Sequence, residues 1–546
     1  MSDVALLSTA VLVAVAAHVG FGVPGPALVV VVVAALVLRR PVVVAVALAV
    51  VAGARAEGSI AALDRPLPDH LEGTAQLVAD PTVGEFGTTV EVALDGRRWQ
   101  AQVPREDEWV LRPLLMGDHV EVSGRPRPFR GAPEGWRRSR HLAGRLDVTR
   151  IERGPPASSW FRSANAVHRL LARGASSFDD RGRALFMGLV VGDDRAQTDL
   201  DRFRFQATGL GHLLAVSGQN VVFVLLVTRP VTSRLGLRSR WAVSLGALAL
   251  FVLVTRAEAS VLRATAMAAV ALSASMAGRV ASGFRVLALA MIGLVLVDPL
   301  LVSGLGFQLS VCATVGLLVG AAPVSERLSG PRWLTDALGC TLVAQLATAP
   351  LLIGLTGGVP SVATFANVLA VPAAGAVMVL GLTVGLVAGL LMAPVAAILS
   401  TPARVLVEWI QGVADVLSRV PLRLLGPWQL GQLAVAGLLL WPRRRSRWST
   451  AAALLLIVVA VWPVEAPSAP TVVAAGVTVA ETSCGRTVHL EGRVDVMDVL
   501  EALQRSGVLR SDVVVGPATA ATAEVAEQLG AEVVGPAGDG RTCRVR

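Results

Sequence analysis

The sequence contains no lysine and no tyrosine, and only four cysteines. Without lysine there is no Walker A loop, whose lysine must reach the nucleotide phosphates. All 49 basic residues are therefore arginine, which reads as coding bias rather than chemistry. Four cysteines cannot hold a disulfide-scaffold fold. Cys312 and Cys340 stand in apolar runs and read as inert core residues, whereas Cys484 and Cys543 flank the C-terminal tail and would pair only outside the cytoplasm. Neither H-E-x-x-H nor G-x-S-x-G occurs, and no Cys/His set has zinc spacing. The last 77 residues hold one histidine, His489, so they cannot assemble a histidine-rich metal site. These absences leave no recognisable hydrolase or ATPase site, so the expectation is a non-enzyme with no metal and no cofactor. Charge is scarce too: 16% of residues are charged, against about 25% in ordinary soluble domains.

What is abundant is apolar: 53% of the 546 residues, with a mean hydropathy of +0.63. Arranged in blocks of 14 to 20 residues, this composition specifies a polytopic membrane protein. Residues 1–58 carry three apolar runs, at 4–21, 26–38 and 41–55; the start Met1-Ser2-Asp3 lacks the positive charge of a signal peptide. Between 60 and 153 the runs stop and period-two alternation begins. Thr88 to Leu94, the turn Asp95-Gly96 and Trp99 to Val103 form a hairpin pattern, and Gly117 to Gly124 reads as another strand. Five or so short strands in about 90 residues suggest a small β-barrel of the OB type. Residues 155–210 form amphipathic connecting helices, with Phe161, Val167, Leu170 and Leu171 near helical spacing. Residues 211–463 hold about ten apolar runs, interrupted at 402–424 by a stretch that looks too charged to span and is expected to lie at the interface. Residues 470–546 return to soluble composition and read as a small α/β tail. The fold class is thus a helical membrane protein with an inserted extracytoplasmic β-barrel and a C-terminal α/β unit.

Arginine clusters fall at 39–40, 229–240, 279–285, 327–332 and 443–447. Placing all five in the cytoplasm leaves an even number of spans in every interval. The N-terminus is then cytoplasmic, and residues 60–153 and 470–546 are extracytoplasmic.

Polar residues inside the apolar block carry the candidate chemistry. The segment Gly209 to Phe223 sets His212, Ser217, Gln219 and Asn220 at the head of a run. Unsatisfied polar groups are costly in hydrocarbon, so such residues face a bundle interior or a wet path. Helix–helix contact through small and polar side chains is the plainer alternative. His212 and Ser217 are five residues apart and fall on different faces of a continuous helix, which disfavours a nucleophile–base pair. Glu258, Arg263, Gln308, Gln345 and Asn367 recur in later runs. Amides with one or two charges spread over several helices suit a hydrated conduit better than an ion-coupling site. The second candidate is the run 125–153, with nine arginines against three acids, for a net +6. Its Arg125, Arg127, Arg130, Arg137, Arg138 and Arg140 interleave with Phe129 and Trp136, the combination that holds single strands through phosphate charge and base stacking. A patch facing anionic lipid headgroups is the alternative.

His212-Leu213-Leu214-Ala215-Val216-Ser217-Gly218 followed by Val221 resembles the signature of the ComEC-type competence proteins, the DNA uptake channels of the bacterial cytoplasmic membrane. Gly188, Gly192-Asp193 and the stretch Phe203 to Gly209 fit the approach to it. Ser260 to Ala264, Asp298-Pro299, Gly306 to Ser310, Ala344 to Pro350 and Ala366 to Pro372 resemble the family's later blocks, in order. The resemblance spans about 60–440. It implies an exterior OB-like domain that gathers single-stranded DNA and a membrane domain that passes it inward. A DNA receptor and a cytoplasmic ATPase are implied as partners alongside membrane lipid, and a homo-oligomer is left open. The family often adds a metallo-β-lactamase-like domain; the tail here is short and lacks H-x-H-x-D-H, so it reads as a degenerate remnant or the chain as a short form without nuclease potential. Ala259 stands where the family usually has proline, and Gln219-Asn220 where Leu-His is common. A transporter of a small or lipidic substrate on the same fold and an intramembrane hydrolase are the competing functions.

Overall fold

The computed structural model describes residues 2–21, 35, 40–84, 87–129, 131–214, 216–420, 424–439, 455–457, 459–461, 471–482, 485–491, 495–517 and 519–535. Near the start of the chain, α1 (Asp3–Val19) and α2 (Pro41–Leu63) pack on each other. The run 26–38 between them lies almost wholly outside the described residues, as do Arg130, Cys484 and Cys543.

Residues 71–153 form strands β1 (Leu71–Leu77), β2 (Thr82–Gly84), β3 (Gly87–Leu94), β4 (Arg97–Val103), β5 (His119–Arg127) and β6 (Leu142–Arg153). Pairing runs β1–β5–β6–β4–β3 and returns to β1, so five strands close on themselves, with the short β2 outside on β3. The β4–β6 pair is parallel and the others antiparallel, giving the small Greek-key barrel expected of an OB-like domain. Asp95 and Gly96 both take positive φ, as a two-residue hairpin turn of this hand requires. Alternate residues fill the interior, around Trp99, Val90, Val122 and Leu146. Two short helices decorate the barrel, α3 (Glu108–Leu111) and α4 (Glu134–Ser139).

Three helices follow: α5 (Ser159–Gly174), α6 (Asp180–Val191) and α7 (Asp199–Ala207). Helix α5 is amphipathic as expected, and its Phe161 ring occupies the space beside Gly117 of the barrel. Helix α6 differs from the expectation: every residue from Ala184 to Val191 is buried. A helix apolar all round belongs in a core, and this one is the centre of the largest apolar cluster.

The membrane block consists of α8 (Gln219–Thr232), α9 (Leu237–Val254), α10 (Ala259–Met276), α11 (Gly283–Val297), α12 (Leu305–Ser325), α13 (Arg332–Thr356), α14 (Ala363–Ala388, with a π turn at Gly381–Gly385), α15 (Ala393–Leu417) and α16 (Pro427–Leu439). Among the described residues seven helices, α2, α9, α10, α12, α13, α14 and α15, are long and apolar enough to cross a membrane. Large apolar side chains such as Val222, Leu346 and Ile398 point outward, where hydrocarbon is the natural solvent. Small residues let helices approach: Gly316 and Gly320 face Ala347 and Val343 across the α12–α13 contact. The protein is a polytopic helical membrane protein with a small barrel domain.

Two details correct the sequence reading. The runs 361–379 and 380–397 are largely one helix, α14, and 393–417 is one continuous helix through Pro402. The charges that suggested an interfacial segment, Arg404, Glu408 and Asp415, are accommodated because Arg404 pairs with Glu408 and Asp415 pairs with arginines of α6 and α7. Cys340 is exposed on the bundle surface rather than buried in a core.

The tail comprises β7 (Thr471–Ala474), β8 (Val477–Thr482), β9 (Gly485–Leu490), α17 (Val496–Arg505), β10 (Val513–Val515), α18 (Ala520–Leu529) and β11 (Glu532–Val534). The sheet order is β11–β10–β9–β8–β7. Its apolar core takes in Leu200, Phe203 and Ala207 of α7, so a helix more than 260 residues upstream completes this unit. Arg204 of α7 reinforces the contact, donating to Gln528 Oε1 at 2.9 Å and Glu527 Oε1 at 2.8 Å.

Candidate functional site

The polar motif at the head of α8 is built from three chain segments. Ser217 Oγ donates to Asn220 Oδ1 at 3.2 Å, and Asn220 Nδ2 donates to the Leu189 carbonyl at 3.0 Å. Ser260 Oγ, from the start of α10, donates to the Val216 carbonyl. These bonds tie the turn before α8 to α6 and α10. Arg263, one turn into α10, is buried; it donates to Thr314 Oγ1 of α12 and lies 3.6 Å from Met267 Sδ. Its Nε is buried without a hydrogen-bond partner. Ser217, Asn220 and Arg263 therefore meet at one junction of α6, α8, α10 and α12.

The other polar residues do not join this cluster through hydrogen bonds. His212 is exposed, with Nδ1 3.2 Å from the Gly209 carbonyl of its own loop, and no hydrogen bond links it to Ser217. Gln219 is exposed. Gln308 Nε2 donates to the Val302 carbonyl at 2.9 Å, and Asn367 Nδ2 to the Ala363 carbonyl one turn back at 2.8 Å. Gln345 Oε1 accepts from Thr364 Oγ1 at 3.0 Å, joining α13 to α14, while its Nε2 is buried without a partner.

Glu258 stands at the N-cap of α10, near Arg140 and Glu91 of the barrel domain. Burial pushes its carboxyl above the usual range, with Arg140 opposing and Asp194 and Glu91 adding to the rise. Glu91 is likewise raised by burial, against the pull of Arg140, which it contacts at 3.2 Å.

A network that the sequence reading did not assemble joins barrel to bundle. Asp80, in the loop after β1, accepts from Arg256 Nε at 2.8 Å and from the Met116 amide at 2.6 Å. Arg256 also donates to Asn165 Oδ1 at 2.9 Å, and Asn165 Nδ2 to the Met116 carbonyl at 3.1 Å. Arg256 and Ala257 both hold positive φ, a conformation uncommon for non-glycine residues that the Asp80 contact retains. Beside them Asp193 takes two bonds of 2.7 Å from Arg195 and lies 3.1 Å from His168 Nε2. Burial would raise the Asp193 carboxyl, but the bonds from Arg195 and the close His168 imidazole overcome it and hold the group far below the usual carboxylate range. A cleft of about 250 Å³ opens here between Pro81, Val83, Thr88, Arg112 and Arg195. The chain distance between Asp80 and Arg256 conceals this joint in the sequence; Gly192-Asp193, flagged by the family resemblance, was its one legible trace.

The arginine run is only partly free. Helix α4, carrying Trp136, Arg137 and Arg138, packs on the turn 299–303 of the bundle. Arg137 pairs with Asp64 at 2.7 Å, Arg138 with Glu134, and Arg127 with Asp147 at 2.5 Å. Arg140 contacts Glu91 and also lies over the Trp136 ring, which meets Phe129 edge-on at 5.8 Å. Arg125 is exposed and has no partner among the described residues. Part of the predicted strand-binding surface thus doubles as a docking element, clamped further by His141 Nε2 against Asp298 at 2.8 Å.

The competence-protein family profile matches residues 189–443, which take in α8 to α16. ComE operon protein 3 of Bacillus subtilis (strain 168) is 27% identical over 216 residues, a stretch covering 39% of this chain and 27% of that relative's own length. Residues 189–443 are thus similar to the competence-protein family, and the chain spans about a quarter of that relative's length. No solved structure matches the chain. The matched stretch begins at Leu189, the residue whose carbonyl receives Asn220, so it includes the whole polar junction at the head of α8. The barrel and the tail lie outside the match. Among the described residues no group of three or more histidine, cysteine or acidic side chains is placed to hold a metal ion.

Proposed function

We propose that this protein conducts single-stranded DNA through the cytoplasmic membrane during transformation. The observation that carries the proposal is the coincidence of the competence-family match with the polar junction of Ser217, Asn220 and Arg263 inside it. In this reading the strand meets the barrel first, through Arg125 and the Phe129–Trp136–Arg140 group. It then passes Glu258 and runs by His212, Gln219 and Arg263, with Gln308, Gln345 and Asn367 shaping the helices around it. The proposed topology follows the arginine clusters: N-terminus cytoplasmic, barrel and tail outside. This topology takes the shorter helices α8, α11 and α16 as crossings alongside the seven long ones. Driving force comes from partners, a DNA receptor outside and an ATPase inside, because a chain without lysine has no Walker A loop.

Deletion of the gene tests this directly. Nuclease-resistant uptake of labelled DNA should fall to background and return on complementation; unchanged transformation after deletion would refute it.

A further inference from the structure

Among the described residues Arg204 and Arg263 are the two arginines more than nine-tenths buried, at 3% and 8% exposure. Arg204 has Asp415 at 3.3 Å and Glu527 at 2.8 Å. Arg263 has no carboxylate within 4 Å among the described residues; a threonine hydroxyl and a thioether are its side-chain contacts. Neither neutralises charge, and a guanidinium does not lose its proton in a protein. Burying an uncompensated ion costs several kcal/mol, so a purely structural arginine here would be expected to have an acid beside it, as Arg204 does.

The free side of the guanidinium faces the start of α8. A Cβ added to Gly218 would lie 3.0 Å from Ala264 Cβ and 3.1 Å from Arg263 Nη2, so glycine is what lets the guanidinium approach the helix start this closely. Gly218 begins α8 with no side-chain cap on its amides. Apart from the Asn220 amide, which donates to the Ser217 carbonyl, the start of a 14-residue helix offers amides without intrahelical partners and positive potential. A planar guanidinium beside them is complementary to a tetrahedral oxyanion, which the Ser217 hydroxyl would join by giving up its bond to Asn220 Oδ1.

We propose that Arg263, Gly218 and Ser217 form a binding site for a phosphodiester oxyanion within the membrane domain. One fixed cation makes a site strong enough to admit such a group and weak enough to release it. The phosphodiester can belong to a DNA strand or to an anionic lipid headgroup. The strand as its source rests on the function proposed above; the site itself does not.

The test uses the full chain in phosphatidylcholine nanodiscs, comparing wild type with Arg263→Gln and the charge-conserving Arg263→Lys. A fluorescent oligo-dT is titrated across a salt series. Losing one single-strand phosphate contact lowers the slope of log affinity against log salt by about 0.7; Arg263→Gln should show that loss and Arg263→Lys should retain the slope. In a second arm, phosphatidylglycerol doped into the discs is counted on the released protein by native mass spectrometry. A difference confined to retained phosphatidylglycerol supports the site, assigns it to lipid and contradicts the strand path. Equal slopes and equal lipid retention in wild type and Arg263→Gln overturn the proposal. Should Arg263→Gln fail to fold, Gly218→Ala, which crowds Nη2, is expected to show the same loss, and an unaltered slope and lipid count there overturn it equally.

Discussion

Arg256 and Arg263 stand seven residues apart on either side of the start of α10, and their surroundings are opposite. Arg256 is held by Asp80 and Asn165 in a joint where the neighbouring arginine, Arg195, also has its acid. Arg263 lies within the bundle with no carboxylate within 4 Å among the described residues, beside Thr314 and Met267. The first arrangement fixes a barrel onto a bundle. The second leaves a cation without a neighbouring carboxylate, which is the basis of the oxyanion site proposed above. Charge alone therefore does not separate scaffold from site here; the state of pairing does.

The largest effect should come from breaking the paired side. Asp80→Ala strands a mostly buried guanidinium, a loss of about 3–5 kcal/mol, read as a lowered unfolding midpoint in detergent and faster hydrogen exchange around 253–259. If the midpoint holds, the joint is not the fixed element of the comparison. Arg204→Ala should release the tail from α7 at a cost of about 1.5–3 kcal/mol for its charged hydrogen bonds, seen as proteolysis confined to 471–535. Arg263→Gln should leave the unfolding midpoint unchanged or raise it, because it removes an uncompensated charge, while DNA uptake drops. A large fall in stability would make Arg263 a structural residue like Arg256.

The acid response sharpens the same contrast. The Asp193 carboxyl is held below its ordinary value of 3.8 in the folded protein, so its stabilisation is complete above that value and fades as pH falls through it and beyond. Hydrogen exchange at 165–168 should rise progressively below about pH 4, and Asp193→Asn should flatten that dependence at a uniformly weaker joint. The smallest effect belongs to Arg125→Ala. At this exposed, unpaired position stability should stay within about 0.5 kcal/mol, while oligonucleotide affinity falls with a shallower salt dependence.

The fold was largely legible because its signals are local. Period-two alternation around Asp95-Gly96 marks the hairpin, and hydropathy marks the bundle. The charged stretch after Thr401 misled because its partners, Arg181 and Arg204, lie more than 200 residues upstream. Part of the polar junction could be named from composition, since Ser217, Asn220 and Arg263 stand out in apolar runs. The Asp80–Arg256 joint could not, because each residue alone is an ordinary loop charge. The nine arginines of 125–153 show the opposite failure: their number suggested a free surface, yet Arg127, Arg137, Arg138 and Arg140 have acids beside them.

Capture of the strand in transit tests the central claim most directly. A photocrosslinking residue replaces Gln219 at the head of α8, or Leu346 on the outer face of α13, in cells importing labelled DNA. The account predicts label trapped from position 219 and none from 346. Equal trapping at both, or silence at 219 while import proceeds, would contradict it.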